Sequence, residues 1–480
     1  MFQKSDIKAG IIWRLTEVIG AEFFAFCSFL LLTRLLAPEH FGVVALATIL
    51  ILVAQLILFQ GVGEALVQIE DIEASWFSSA LWMNVGLASL AALLLSAAAP
   101  LIADVFSEPR FAPVLRAVAP LLMIYSVSGI LQAKLRRDLK LKSFAFASIF
   151  ATILGAIVAA VMAISGFEVW SLVGQQWTYA LISTCMFLFH AGWLPRPSIE
   201  KAHIERLAGF SFNTIGAALL RFAIRQLDLL FLGFHLPSKQ VGLYFLATRI
   251  LGTVGQLTYY SIQRIGLPVL SRLQNDPVRQ QAAIASTLRL TCLVCLPIYF
   301  GMAVTADLAI PIAFGTEWNG SVQPFRILSL FTIFYALSLI ANQILLSAGL
   351  ASTVFRLSGF NAFLFAVAVA FAAPHGIAAT AVAGGAANAL CLPVYFYVLR
   401  QKLKFDTAQL GIDLLPIWTA ATAMAAAVVG ARYYVLNALD PLSELGLSII
   451  LGMLVFVGTV CLLRRDYVDE LATVFVGERR

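Results

Sequence analysis

About fourteen times along this chain, a run of twenty or more residues passes with few charges or none. Each run is long enough to cross a hydrocarbon layer about 30 Å thick as a helix. Lipid offers peptide groups no hydrogen-bond partner, so a crossing segment must satisfy its backbone within itself or within a closed barrel. The runs are continuous, without the in-out alternation of barrel strands. Of the 480 residues 61% are hydrophobic and 12% charged, against about 25% charged in soluble domains, which leaves little chain for an aqueous domain. The fold class that follows is an all-α polytopic membrane protein of about 14 transmembrane helices, near 12–36, 41–66, 78–103, 111–133, 144–165, 169–194, 208–234, 241–266, 285–314, 322–348, 353–373, 376–399, 414–436 and 443–463. Residues 1–10 are polar and lead into the first run with no small-residue cleavage site, so that helix is expected to stay as an anchor.

A net charge of +6 would suggest nucleic acid in a soluble protein. In a membrane chain basic residues mark the cytoplasmic side, and no nucleic-acid partner is expected. With the N-terminus in the cytoplasm, 21 of the 32 Lys and Arg fall in inner loops and tails, and the outer loops hold only Arg110, Lys239 and Arg432. Both termini are therefore expected in the cytoplasm. The densest basic loop, KLRRDLKLK at 134–142, reads as a topology determinant or as a contact for anionic lipid headgroups. All six cysteines lie in apolar runs, and the Cys292/Cys295 pair has metal-like spacing but no second pair, so no metal is expected. The chain carries no phosphate-binding glycine loop, no GxSxG and no HExxH, so neither a cofactor nor an enzymatic activity is expected.

The chain also repeats. Shifted by 200, residues 31–48 lie over 231–248, with matches at Leu32/Leu232, Leu36/Leu236, Gly42/Gly242, Leu46/Leu246, Ala47/Ala247 and Thr48/Thr248. Shifted by 210, Arg116 lies over Arg326, Tyr125 over Tyr335, Ser128 over Ser338 and Ile130 over Ile340. An even number of spans separates the copies, which gives the halves the same orientation about an axis along the membrane normal. The expected organisation is a six-helix lobe at 1–194, a cytoplasmic linker at 195–207, a second six-helix lobe at 208–400, and two extra helices with a tail at 401–480.

Ionisable groups inside a membrane cost at least about 2.5 to 3.5 kcal/mol each on insertion scales and so mark candidate sites. Arg221, Arg225 and Asp228 share one helical face, and the next span continues with Arg249, Gln256, Tyr260 and Gln263 as a polar stripe. Arg225 and Arg249 each lie about 12 residues from the short loop near 237–238 and hence at similar depth. Excess cationic charge at one level suits a phosphate or pyrophosphate. The other reading of the same residues is an internal Arg225–Asp228 salt bridge. Glu22, near the middle of the first span, is a candidate for carrying a coupling proton or for pairing with a basic side chain.

The stretches TRLLAPEHFGVVALATILILVAQLILFQGVGEALVQ (33–68), FAPVLRAVAPLLMIYSVSGILQAKLRRDLKLKSFAF (111–146) and QLDLLFLGFHLPSKQVGLYFLATRI (226–250) resemble blocks of the oligosaccharide-lipid flippases. These are the Wzx-type and polysaccharide-transporter families of the multidrug/oligosaccharidyl-lipid/polysaccharide exporter superfamily. The likeness runs over about residues 10 to 400. It implies a bacterial inner-membrane protein with a central cavity lined by spans 1, 2, 7 and 8. It further implies alternating-access transfer of polyprenyl-pyrophosphate-linked oligosaccharide repeat units for exopolysaccharide, O-antigen or capsule synthesis. Membrane lipids surround such a protein, and a polysaccharide polymerase and chain-length machinery are its implied partners. On this reading Arg221, Arg225 and Arg249 bind pyrophosphate, Asp228, Gln256, Tyr260 and Gln263 line the cavity, and Glu22 couples transport to an ion or proton. His40 stands where the family has an acidic residue, and Glu168 where it has glycine. A multidrug or cation antiporter of the same superfamily would favour a carboxylate-rich cavity. A polysaccharide polymerase or ligase would need a sizeable outer loop, and the expected outer loops are about 5 to 12 residues.

Overall fold

The computed structural model describes residues 4–69, 72–273 and 276–467. They form helices α1 (Lys4–Leu35), α2 (Pro38–Gln68), α3 (Ala74–Val105), α4 (Phe111–Val118), α5 (Leu121–Arg137), α6 (Leu141–Ile164), α7 (Val169–Ala191), α8 (Lys201–His235), α9 (Ser238–Leu257), α10 (Tyr259–Arg272), α11 (Pro277–Phe314), α12 (Val322–Ser347), α13 (Ala351–Ala372), α14 (Ile377–Leu403), α15 (Thr407–Tyr434) and α16 (Pro441–Leu463), and no strand. Among the described residues ten helices are long and apolar enough to cross a membrane. The other four expected spans fall on α1, α7, α8 and the α9–α10 pair, which are helical across the expected positions and richer in polar residues. Span 4 is two helices in the structure, joined at Ala119 and Pro120, because proline has no N–H for the helical ladder.

Polar side chains at the ends satisfy the backbone groups that a helix leaves unbonded. Asp276, Asp406 and Asp440 cap the starts of α11, α15 and α16 by accepting from Arg279 N, from Ala408 N and Gln409 N, and from Ser443 N. The basic segment 134–142 acts at the opposite polarity. Arg137 Nη1 donates to Leu66 O and Ile69 O at 2.9 and 2.7 Å, and Lys140 Nζ donates to His190 O at 3.0 Å, so two of its charges close the C-terminal ends of α2 and α7.

The chain forms two compact units, Met1–Phe245 and Leu246–Arg480, divided within α9. In the first, α6 packs between α1 and α7, α5 packs against α2, α3 and α7, and α2 lies along α8. Residues 195–200 bond to the start of α3, with Arg196 N donating to Ser78 Oγ and Glu200 N to Ser79 Oγ, each at 3.1 Å. In the second unit α12 is central, packed on α10, α11, α13 and α14, and the α15–α16 hairpin lies on α11. Arg116 Nε donates to Ser96 O of α3 at 3.3 Å, and Arg326 Nε, matched to it in the sequence, donates to Ala303 O of α11 at 3.0 Å, so each of the two arginines bonds a backbone carbonyl of the long helix that precedes it.

Candidate functional site

The expected site residues fall in both units. In Met1–Phe245, α8 presents Arg225 on its exposed side, while Asp228, one turn on, is buried. Asp228 Oδ2 accepts from Tyr244 Oη at 2.9 Å, and Oδ1 accepts from Leu229 N at 2.9 Å. The carboxylate thereby joins α8 to the first turns of α9, a bond that needs Tyr244, which helical spacing alone did not single out. The side chain of Arg221 lies outside the described residues. Glu22 is half-buried on α1.

In Leu246–Arg480, Arg249 is half-buried on α9. The helix expected to run through 241–266 breaks at Thr258, where φ is −104° and ψ −103°. Thr258 Oγ1 donates to Val254 O at 2.9 Å, alongside the Thr258 N–H, and lies 3.2 Å from Tyr299 Oη, while Ser261 Oγ donates to Gln256 O at 2.8 Å, so side-chain hydroxyls bond backbone carbonyls at the break. Beyond the break the polar stripe turns towards α12. Tyr260 Oη is 3.1 Å from Tyr335 Oη, and Gln263 Nε2 donates to Gln343 Oε1 at 3.1 Å. Gln256 Oε1 accepts from Arg264 Nη2 at 2.8 Å across the break.

The stripe is therefore a row of amides and tyrosine hydroxyls, with Gln256 tied to Arg264 across the break and Tyr260 and Gln263 paired with Tyr335 and Gln343 of α12. Each amide keeps donor or acceptor capacity beyond its one bond, which is chemistry suited to hydroxyl-rich ligands. Tyr335 had a signal in the sequence, its match with Tyr125; Gln343 had only its isolation in an apolar run. Among the described residues no group of three or more His, Cys, Asp and Glu is placed to hold a metal ion, and the six cysteines are free thiols.

Arg432, expected in an outer loop, is instead in the last turn of α15 with its side chain 16% exposed. Its Nη2 lies 2.6 Å from Asp307 Oδ2, its Nε 2.9 Å from Glu444 Oε1, and its Nη1 donates to Val304 O at 2.6 Å. Asp307 also holds Arg326 Nη2 at 2.9 Å. This network binds α11, α12, α15 and α16 together, and pattern reading missed it because its acids and bases belong to four different helices.

Residues 31–323 match the family described as polysaccharide biosynthesis protein. The succinoglycan biosynthesis transport protein ExoT of Rhizobium meliloti is 26% identical over 306 residues, 64% of this chain and 62% of that protein. The lipopolysaccharide biosynthesis protein WzxC of Escherichia coli is 19% identical over 344 residues, 70% of this chain and 69% of that protein. This chain thus spans between three fifths and seven tenths of the length of those relatives. Among solved structures, the lipid II flippase MurJ in an inward closed conformation superposes with a TM-score of 0.79 at 13% identity, covering 95% of this chain and all (100%) of that one. A multidrug resistance MATE transporter in an inward-facing conformation gives a TM-score of 0.54 at 14% identity, covering 82% and 98%.

Proposed function

This chain belongs to the polysaccharide biosynthesis protein family, and from that premise we propose that it is a flippase for lipid-linked oligosaccharide in a bacterial inner membrane, with both termini in the cytoplasm. The observation that carries the reading is the placement of the polar residues. In a chain of mean hydropathy +0.90, arginines, amides and tyrosines gather on α8, α9 and α10, while ten other helices among the described residues are long and apolar enough to cross a membrane. A pyrophosphate-linked saccharide has an anionic linkage, a hydroxyl-rich head and a lipid tail. Arg221, Arg225 and Arg249 suit the anion, since guanidinium pairs bidentately with phosphate oxygens. Gln256, Tyr260 and Gln263 suit the sugar hydroxyls, and the tail stays in the bilayer. The lobes 1–194 and 208–400 are the bodies that would move in alternating access, with Glu22 as the coupling group. The names and roles of ExoT and WzxC support the substrate class, and the likeness to MurJ supports the fold that such transfer uses.

The test follows the lipid-linked repeat unit in a strain lacking this protein, by its accessibility to a probe of the outer leaflet. Accumulation on the inner face, relieved by the wild-type chain and not by Arg225→Gln/Arg249→Gln at equal membrane abundance, is the expected result. Normal arrival at the outer face without the protein would refute the flippase reading, and full rescue by the double variant would refute the arginine assignment.

A further inference from the structure

The repeat read at a shift of 200 meets itself in the structure. α2 and α9 begin at equivalent positions, Pro38 and Ser238, and cross one turn later. A Cβ at Gly42 would fall on the carbonyl of Ser238 and 3.0 Å from the nitrogen of Gly242. A Cβ at Gly242 would fall on the carbonyl of Pro38 and 3.2 Å from the nitrogen of Gly42. Each contact is the other displaced by 200 residues, so the crossing has a local two-fold relation. Only glycine permits backbones to approach this closely.

Both helices present their N-terminal ends here, where unbonded N–H groups and aligned peptide dipoles concentrate positive charge. Two such ends side by side repel, and carboxylates answer them. Glu39 sits in the first turn of α2. Glu108, in the loop after α3, accepts from Ser238 Oγ at 2.6 Å. Arg110 bridges the two acids, with Nε 3.0 Å from Glu108 Oε1 and Nη1 3.3 Å from Glu39 Oε1. The closest approach at the two glycines is backbone to backbone, and the Arg110 and Glu39 side chains are 44% and 37% exposed, which keeps such pairs weak. A fastening of exposed ion pairs is specific while it is formed and costs little to release.

Arg110 and Lys239 flank the crossing and belong to the charge-poor side that the distribution of Lys and Arg assigns to the outside. We propose that the Gly42–Gly242 crossing and its Glu39–Arg110–Glu108–Ser238 fastening form a releasable clasp, the closed gate at the outer end of the transport path. This inference rests on the flippase reading above.

In a cysteine-free background, Glu108→Cys/Ser238→Cys is joined in intact cells with a short bifunctional methanethiosulfonate, and inner-to-outer transfer of the lipid-linked saccharide is followed. Locking a gate stops the conformational step on which turnover depends, so export is expected to fall at least about tenfold and to return when reductant cleaves the bridge. A control bridge across the α15–α16 turn, Val435→Cys/Leu439→Cys, leaves export unchanged. Export by the bridged protein at the unbridged rate overturns the clasp while leaving the flippase reading intact. A wild-type chain that fails to relieve inner-face accumulation overturns the flippase reading, and the gate with it. A second readout does not depend on transport. Val43, beside the crossing, is buried at 1% exposure, and Val43→Cys is expected to react several-fold faster with an impermeant maleimide added outside when Glu108→Gln is also present. An unchanged labelling rate overturns the fastening role of Glu108.

Discussion

At the scale of single residues, Glu168 stands at φ 46° and ψ −122°, a conformation open to glycine but costing other residues about 1 to 3 kcal/mol. Its carboxylate lies 3.5 Å from His40 Nε2, an ion pair whenever His40 is protonated. The two positions at which the chain departs from the family it resembles therefore meet in space, which neither residue announced in the sequence. The Glu168 side chain is 69% exposed, so the pair contributes at most about 1 kcal/mol. Glu168→Gly is accordingly expected to stabilise the protein by about 1 kcal/mol, read as a higher midpoint of thermal unfolding in detergent; a lower midpoint would mean that the His40 contact outweighs the backbone strain. Asp228 teaches the same lesson from the other side. Helical spacing put it on a face with Arg221 and Arg225, and its burial against Tyr244 was set by the neighbouring helix.

At the scale of elements, the C-terminal hairpin α15–α16 is held to α11 by Arg432. Removing one partner from a mostly buried ion pair leaves the other uncompensated and costs about 3 to 5 kcal/mol. Arg432→Ala is expected to lose stability of that order, reduced here because Asp307 is 42% exposed. In Arg432→Ala/Glu444→Ala part of the loss should return, since Glu444 is no longer left alone; a double variant with the full sum of both losses would show the pair to be uncoupled. The loop between α3 and α4 gives a pH dependence. Burial works to raise the pKa of Glu108, but the hydrogen bonds from Arg110 and Ser238 and the Arg110 charge outweigh it, so the carboxyl titrates below its usual range. A group with a depressed folded pKa adds stability above its unfolded pKa and loses it as pH falls through the folded value. The difference in unfolding midpoint between wild type and Glu108→Gln should therefore be constant from neutral pH to about pH 5 and shrink in stronger acid. A difference that instead grows in acid would reverse the assigned sign.

At the scale of the whole chain, hydropathy and the distribution of Lys and Arg predict which loops face which compartment. Single cysteines at Arg110 and Lys239 should react with an impermeant maleimide in intact cells, and those at Arg136 and Lys402 only after permeabilisation; Arg110 and Lys402 labelled from the same side would refute the expected number of crossings between them. The sequence by itself determined the all-helical membrane class and the helices along which the polar residues fall, because the bilayer imposes a helix on every long apolar run and periodicity assigns each residue a face. Only the tertiary structure decided how the polar groups pair, Asp228 with Tyr244, Glu108 with Ser238, and Arg432 with Asp307 and Glu444. It also decided where α9 gives way to α10 and that the two matched glycines touch. The physical reason is separation: partners 12 to 130 positions apart are brought within hydrogen-bond distance by helix packing, and the order of residues along a chain carries no such distance.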